Sequence, residues 1–191
     1  AVELDPAILR HGADHPERPY ADPRVRIVND DARAYLQRTD ERFDLVVFGY
    51  LDSHSLLSSM TSVRLDNFVY TLETLRTVRG LLAEGGGVAL TFFVGVEWLD
   101  LRIYAMLLDA IGRHPQVISF GETDRVYYVG PRDAAEKRPP PGEEDPPVCD
   151  DDWPFLYMAY RAIPGDYAWI LMLALAASVI AVRAPGQAAD A

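Results

Sequence analysis

The strongest constraint on this chain is the regular alternation of short apolar runs with helical patterns over its first 130 residues. Such alternation is typical of a parallel sheet covered by helices, because each strand needs a crossover to return beside its neighbour. The run 43–48 is continuously apolar, as expected of a strand buried on both faces. The predicted strands are 2–4, 25–28, 43–48, 88–94, 117–120 and 126–129, and the predicted helices begin near residue 6 and cover 31–37, 68–83 and 98–111. The sequence therefore predicts an α/β fold that ends in a hairpin-like pair of strands.

The composition fits one globular domain with an appendage and excludes several functions. The 191 residues are 49% hydrophobic and 25% charged. The net charge of −11 repels polyphosphate, so we expect no nucleic-acid partner. Cys149 is the only cysteine and the four histidines are scattered, so we expect neither a disulfide nor a metal. The sequence has no G-x-S-x-G elbow, Walker loop or metalloprotease helix.

We predict three segments after the α/β domain, which covers 1–130. Positions 131–152 hold six prolines and eight acidic side chains against three basic ones, which favours a linker or an ordered surface excursion over core, and we interpret 131–162 as a linker. Positions 163–183 predict a helix that is apolar all round, followed by a tail, 184–191. A buried core helix is the alternative, but length and composition favour a transmembrane helix. We therefore expect a membrane protein with the α/β domain on the cytoplasmic side.

Two acidic residues follow predicted strands at the edge where open α/β sheets bind ligands. Glu3 can accept hydrogen bonds from both hydroxyls of a ribose, although a solvated strand-end acid fits equally well. Asp5 precedes Pro6 and is the predicted N-cap of the first helix. Asp30 is the predicted cap of the next helix, which leaves Asp31 one residue inside it. Asp31 can accept from an adenine amino group or serve only as a favourable first-turn acid.

The loop after the run 43–48 is the other candidate site, because it is much longer than the ~2–6 residues usual in such folds. Asp52 and His54 can hold or deprotonate a nucleophile, and Tyr50 offers a ring or a hydroxyl to a ligand. Turn formation and solubility are the alternative roles of these side chains. Glycines 85–87 follow a helix and precede a strand, so we predict a turn there and not a phosphate loop.

Taken together, these segments resemble the spermidine/spermine synthase family, the polyamine aminopropyltransferases built on the class I methyltransferase fold. The resemblance runs from residue 2 to about residue 129. It rests on segments whose order and spacing match the family, namely Val2-Glu3-Leu4-Asp5-Pro6, Asp22-Pro23-Arg24-Val25, Asp30-Asp31-Ala32-Arg33-Ala34-Tyr35-Leu36, Phe43-Asp44-Leu45-Val46-Val47 and Arg64-Leu65-Asp66-Asn67-Phe68-Val69-Tyr70. Asp151-Asp152-Trp153-Pro154-Phe155-Leu156-Tyr157 resembles what membrane-anchored members carry after the catalytic domain.

The resemblance implies a site for an S-adenosyl nucleoside, either S-adenosylmethionine or its decarboxylated form. Glu3 then binds the ribose, Asp31 contacts the adenine amino group, and Ala32 and Gly49 line the donor site. Tyr50, Asp52 and Ser53 bind the acceptor, with Asp52 and His54 as the catalytic residues. Gly49 stands where the family has its catalytic acid. The resemblance also implies that the family's first strand and glycine-rich turn are absent.

Three functions follow. The first is a membrane-tethered aminopropyltransferase that acts on a small-molecule amine. The second is an S-adenosylmethionine-dependent methyltransferase with an unidentified acceptor, which the neutral segment 49–51 suits better. The third is a nucleotide-binding or structural module of a membrane protein that catalyses nothing, and Gly49 is its best support. An oligomer is compatible with all three.

Overall fold

Strands and helices alternate in the structure as the sequence pattern predicts. The computed structural model describes residues 1–50, 65–138, 146–162 and 165–183. The elements in chain order are β1 Val2–Glu3, α1 Pro6–Asp14, β2 Val28–Asn29, α2 Ala32–Arg38, β3 Phe43–Gly49, a 3-10 helix Leu65–Tyr70, α3 Leu72–Leu81, β4 Leu82–Phe93, α4 Glu97–Ile111, β5 Gln116–Phe120, β6 Asp124–Val129 and α5 Gly165–Arg183.

The described strands form two sheets. β1 and β2 pair in parallel, and the second sheet has the order β3-β4-β6-β5. β3 is parallel to β4, whereas β6 runs antiparallel to both β4 and β5, which confirms the predicted closing pair. The strand predicted at 25–28 is wrong in extent, because the backbone N–H of Val25 is held in a turn by Asp22 and pairing starts at Val28. The resemblance implies that the family's own first strand is absent from this chain, and that expectation stays a prediction.

α1 begins where the sequence predicts, at the Asp5-Pro6 step. The Asp5 side chain accepts a hydrogen bond from the backbone nitrogen of Ala7 at 2.7 Å, and Pro6 occupies the first turn, where its missing N–H costs nothing. No residue of α1 is buried, and Leu4 and Ile8 are exposed. This part of the chain therefore adds little to the core.

The glycines 85–87 lie inside β4, which corrects the predicted turn. β4 begins at Leu82, directly after α3. Its pairing with β3 shifts between Phe43 and Leu45, and Gly85 has a φ of +77°, a backbone conformation that favours glycine. The glycines therefore form an irregularity within the strand and do not separate it from the helix.

β3 is an edge strand, which corrects the prediction that 43–48 is buried on both faces. Phe48 packs into the core, but Leu45 and Val47, which share the opposite face, are 50% and 59% exposed. Within the described part of the chain, β3 pairs with β4 alone. A continuous apolar run therefore does not distinguish a central strand from an edge strand.

The core lies where α3, α4, β4 and β6 meet. The predicted apolar face of α3 is confirmed, since Leu75, Val78 and Leu81 are buried. Side chains from the other three elements complete the core, among them Val88, Leu90, Phe92, Leu99, Ile103, Leu107, Tyr127 and Val129. Burial of this apolar surface is the main favourable contribution to folding.

Residues 146–159, which we call the strap, pack onto this core although the sequence pattern places them in the predicted linker. Cys149, Trp153 and Leu156 of the strap are buried. The backbone nitrogen of Leu72 donates to the carbonyl of Cys149 at 3.0 Å, which ties the strap to the start of α3. The strap belongs to the compact unit Ala1–Ala159. Because this stretch is rich in prolines and acidic residues, its composition does not reveal the buried positions.

Arg102 on α4 holds the strap from inside the core. Its side chain is fully buried, and its two Nη atoms donate to the carbonyls of Leu156 at 2.6 Å and Ala159 at 2.8 Å. The guanidinium lies 4.9 Å from the ring centre of Trp98 and 5.1 Å from that of Trp153. Burial lowers the pKa of Arg102, because removal from water disfavours the charged form.

The second compact unit, Tyr160–Ala191, contains α5. Apolar side chains of this helix are exposed, including Trp169 and Leu173. Among the described residues, no helix combines the length and the hydropathy that a bilayer crossing requires. The transmembrane helix predicted at 163–183 is therefore not supported by the described residues. The expected membrane location stays a prediction.

Candidate functional site

The candidate site lies at the carboxyl ends of β1, β3 and β4, the edge at which open α/β sheets bind their ligands. Residues from three places in the chain reach this edge. Glu3 is the last residue of β1, Asp31 caps the start of α2, and Gly49 is the last residue of β3, with Tyr50 directly after it. The sequence-based prediction placed donor-binding residues at each of these places. Asp52, Ser53 and His54 lie outside the described residues, so their roles stay predictions.

The turn that follows Glu3 fixes the orientation of its side chain. One carboxylate oxygen, Oε1, accepts a hydrogen bond from the backbone nitrogen of Asp5 at 2.9 Å. The backbone carbonyl of Glu3 accepts from the nitrogen of Asp30 at 3.1 Å and from the Asn29 side chain at 2.8 Å. The carboxylate is thus oriented by its own turn, with Oε2 left to meet a ligand hydroxyl. Its role in ribose binding stays a prediction.

Asp31, and not Asp30, caps α2, which corrects the predicted order of the two acids. Asp31 Oδ1 accepts from the backbone nitrogen of Ala34 at 2.8 Å. Asp30 accepts from the nitrogen of Asp31 at 2.9 Å and pairs with Arg38. The cap position fits because Asp31 keeps an extended backbone, and helical geometry begins at Ala32. Asp31 therefore has a structural role in addition to any contact with a ligand.

Glu3 and Asp31 meet at one edge of the β1–β2 sheet. Pairing of Glu3 with Asn29 and the bond from the Asp30 nitrogen to the Glu3 carbonyl bring the start of α2 beside the end of β1. The start of a helix presents free backbone N–H groups and favours negative charge. Binding of a sugar and a purine at this edge stays a prediction.

Gly49, at the end of β3, faces open space. A Cβ atom at this position would meet no other atom within 4 Å, and the residue is exposed. Crowding by the described residues therefore does not explain why this position lacks an acid. The next residue, Tyr50, has a φ of +39°, which costs a non-glycine residue about 1–3 kcal/mol.

The strained Tyr50 reaches a carboxylate that the sequence-based prediction missed. Its hydroxyl donates to Asp124 Oδ1 at 2.5 Å. Asp124 begins β6, opposite Phe93 at the end of β4. Because β6 is antiparallel to β4, its start lies at the carboxyl end of the parallel strands. The only sequence signal was an acid two residues before the apolar run 126–129, and an isolated strand-end acid is not specific.

Arg33 connects α2 to the strap and was likewise not singled out from sequence. Its guanidinium donates to Asp151 Oδ1 at 2.7 Å, forms a second bond to Oδ2, and donates to the carbonyl of Phe68 at 2.8 Å. The pair lowers the pKa of Asp151, mainly through the hydrogen bonds from Arg33. The helix that carries Asp31 is thereby anchored to the core.

The described part of the chain has no group of His, Cys, Asp or Glu side chains arranged to hold a metal ion. The candidate chemistry rests on carboxylates and one phenol hydroxyl. These groups suit hydrogen bonding to a sugar, a base or an ammonium group.

The fold matches a known structure. The chain superposes on human methyltransferase-like protein 13 in complex with SAH, with a TM-score of 0.53, 17% identity and coverage of 72% of this chain and 62% of that protein. The chain has a Rossmann-like methyltransferase fold. Spermidine synthase from Thermotoga maritima aligns over 90% of this chain and 59% of its own, with a TM-score of 0.49 and 13% identity.

A curated relative adds sequence similarity. The polyamine aminopropyltransferase of Korarchaeum cryptofilum (strain OPF8) is 31% identical over 120 residues, which cover 59% of this chain. The match spans about a third of the relative, 34% of its length. No family model matches the chain.

Proposed function

We propose that this protein is a spermidine-synthase-like transferase that uses an S-adenosyl nucleoside as donor and a polyamine as acceptor. The observation that carries the proposal is the 31% identity to a polyamine aminopropyltransferase, on a chain with a Rossmann-like methyltransferase fold. The fold supplies a parallel-sheet edge, and the pairing of β1 with β2 brings Glu3 beside the start of α2 at that edge.

In the proposed reaction the acceptor amine attacks the carbon beside the donor's sulfonium. A carbon–nitrogen bond forms, the carbon–sulfur bond breaks with its electron pair on sulfur, and methylthioadenosine leaves. The amine then loses one proton. Glu3 and Asp31 bind the ribose and adenine, Ala32 and Gly49 line the donor, and Tyr50, Asp52 and Ser53 bind the acceptor. Asp52, acting together with His54, accepts this proton. Positioning of the two reactants supplies most of the acceleration.

Two further features belong to the same proposal. The neighbour solved with SAH supports an S-adenosyl nucleoside as the ligand. The division of the strands into two sheets supports a further strand between β1 and β3, as the family resemblance implies. Such a strand would pair with the backbone edge of β3 that faces away from β4.

Methyl transfer is the second candidate function, and Gly49 is the observation that favours it. An ammonium acceptor needs both a negative group to bind it and a base to deprotonate it, and glycine supplies neither. A neutral acceptor requires less negative charge at this edge. The donor-binding residues are the same for both reactions.

Turnover with each of the two donors separates these functions. We expect product from decarboxylated S-adenosylmethionine and a diamine, and no methylated product from S-adenosylmethionine. The reverse result would replace aminopropyl transfer with methyl transfer. No turnover with either donor, together with tight binding of methylthioadenosine in calorimetry, would favour a non-catalytic binding module.

Glu3→Gln tests the donor site itself. The amide keeps the oxygen that accepts from Asp5 but removes the charge that suits two ribose hydroxyls, so we expect methylthioadenosine to bind about tenfold more weakly. Glu17→Gln is the matched control, because Glu17 is exposed on the connection after α1. Equal affinities of the two variants would remove Glu3 from the site.

A further inference from the structure

Two polar groups, the hydroxyl of Tyr50 and the carboxylate of Asp124, meet over the end of β4. Gly49 is paired with Thr91 of β4, so Tyr50 emerges just beyond that pair, and Asp124 stands opposite Phe93 on the other side of β4. The 2.5 Å bond from the Tyr50 hydroxyl to Asp124 Oδ1 therefore crosses the carboxyl end of the strand. This position belongs to the candidate site, although nothing in the sequence pattern assigned Asp124 to it.

The carboxylate of Asp124 accepts hydrogen bonds from hydroxyls and has no cationic partner among the described residues. Tyr50 donates to one oxygen, and the Thr123 hydroxyl donates to the other at 3.3 Å. The neighbouring Arg125 donates instead to the backbone carbonyls of Asp124 at 3.1 Å and Glu122 at 3.0 Å. The negative charge at this edge is thus oriented but not neutralised within the described chain.

The Tyr50 end of this contact is open to solvent. Among the described residues, none would lie within 4 Å of a side chain built at Gly49, Tyr50 is 43% exposed, and Asp124 is partly exposed. The backbone of Tyr50 is held in the left-handed region, and strain of this kind persists only where the surroundings fix it. The Tyr50–Asp124 bond is one such restraint, and it also orients the carboxylate.

We propose that Asp124 binds an ammonium group of the acceptor and that Tyr50 is the residue that positions it. The inference rests on the proposed function and deepens it, because it names a carboxylate on β6 for the charge that Gly49 does not supply. An ammonium N–H to carboxylate bond is charge-assisted and strong. With the polyamine acceptor of the proposed function, one ammonium would bind Asp124 while another nitrogen, once deprotonated, attacks the donor.

The decisive variant is Asp124→Asn, which removes the charge and keeps the size. We expect the KM for 1,4-diaminobutane to rise about tenfold or more, with a smaller change in kcat, because the lost interaction binds the acceptor before reaction. Tyr50→Phe keeps the carboxylate but frees its orientation, so we expect a rise of about threefold. Asp124→Glu keeps the charge and should recover part of the affinity.

Glu122→Gln is the matched control. Glu122 is an exposed acid two residues away on the same hairpin, so it changes the net charge equally without reaching the Tyr50 contact. We expect its KM to equal that of the unmodified protein. Circular dichroism and thermal unfolding of each variant show whether a loss reflects misfolding, and the Asp124→Glu variant keeps the test valid if Asp124→Asn does not fold.

Binding measurements separate failure of this inference from failure of the proposed function. Calorimetry with methylthioadenosine tests the donor site, which Asp124 does not touch, and titration with 1,4-diaminobutane is made both with and without the nucleoside. Weaker diamine binding by Asp124→Asn, at equal nucleoside affinity, supports the inference. Equal diamine binding by both proteins, or no diamine binding under either condition, overturns it. Absence of nucleoside binding in the unmodified protein contradicts the proposed function instead.

Discussion

The four-stranded sheet and the β1–β2 sheet of this molecule are stabilised in different ways. The first is covered by α3, α4 and the strap, which bury large apolar side chains and one arginine. The second is held by a helix cap, by surface ion pairs such as Arg26 with Glu41 at 2.7 Å, and by the anchor from Arg33 to the strap. Exposed ion pairs contribute little to stability, so most of the unfolding free energy comes from the first sheet. Glu3 and Asp31, the two carboxylates proposed to bind the donor, lie with the second sheet.

The largest expected effect on stability is at Arg102. Arg102→Ala leaves the carbonyls of Leu156 and Ala159 without their donor and opens a cavity between two tryptophan rings. We expect the free energy of unfolding to fall by about 3–5 kcal/mol, measured by denaturant unfolding. Arg10→Ala, the same change on the surface of α1, should stay within about 0.5 kcal/mol. Similar losses at both positions would contradict the contrast between the two regions.

Asp31 is the place where stability and binding can be separated. Asp31→Ala removes the N-cap of α2, and we expect a loss of about 0.5–2 kcal/mol in thermal or chemical unfolding. Asp31→Asn keeps a good capping residue and removes the charge, so it should leave stability nearly unchanged. If Asp31 also contacts the adenine amino group, as proposed, Asp31→Asn should still weaken nucleoside binding in calorimetry. If Asp31→Asn binds the nucleoside with unchanged affinity, the role of Asp31 is limited to capping α2.

The bond between Arg33 and Asp151 predicts a pH dependence. Its formation lowers the pKa of Asp151 below the ordinary value of 3.8, so its stabilisation is present above about pH 4 and is lost as pH falls through the lowered pKa. Because Asp151 is more than a third exposed, we expect Asp151→Asn to cost only about 0.5–1 kcal/mol at pH 7. In unfolding experiments between pH 7 and pH 2, the difference between the two proteins should disappear at the acid end. A constant difference would be incompatible with this explanation.

Gly49→Asp has the smallest expected effect on stability and the clearest effect on chemistry. The position is open, so the change should stay within about 0.5 kcal/mol in thermal unfolding. The new carboxylate stands where the family resemblance expects the catalytic acid. We expect faster aminopropyl transfer from decarboxylated S-adenosylmethionine, and Gly49→Asn serves as the uncharged control. Equal rates for both variants would show that the neutral residue does not limit the reaction.

The order and type of the elements could be predicted from the sequence because they depend on local patterns. The spacing of apolar residues in α3 and the Asp5-Pro6 step at α1 are signals that a few neighbouring residues carry. The buried strap could not be predicted in this way, because Trp153 and Leu156 are apolar islands in an acidic, proline-rich stretch, and their partner Arg102 lies about fifty residues earlier. Long-range packing decided their burial.

The candidate site shows the same limit. Glu3 and the loop after β3 were found because they follow strands in the sequence, and the rule about strand ends applies to them directly. Asp124 is the first residue of its strand, and only the antiparallel pairing of β6 with β4 brings it to the same edge. The exchange of roles between Asp30 and Asp31 depended on a shift of one residue in the start of α2, which capping preferences do not resolve.

The outer side of β3 has a practical consequence for work with this protein. Among the described strands, β3 pairs only with β4, and its outer edge with exposed apolar side chains is a template for another strand, whether from a second copy or from an unfolded chain. Where the further strand proposed between β1 and β3 is not in place, concentrated samples should therefore self-associate through this edge. Lysine at position 45 or 47 should keep them monodisperse in light scattering, which makes such a variant the preferred starting material for crystallisation.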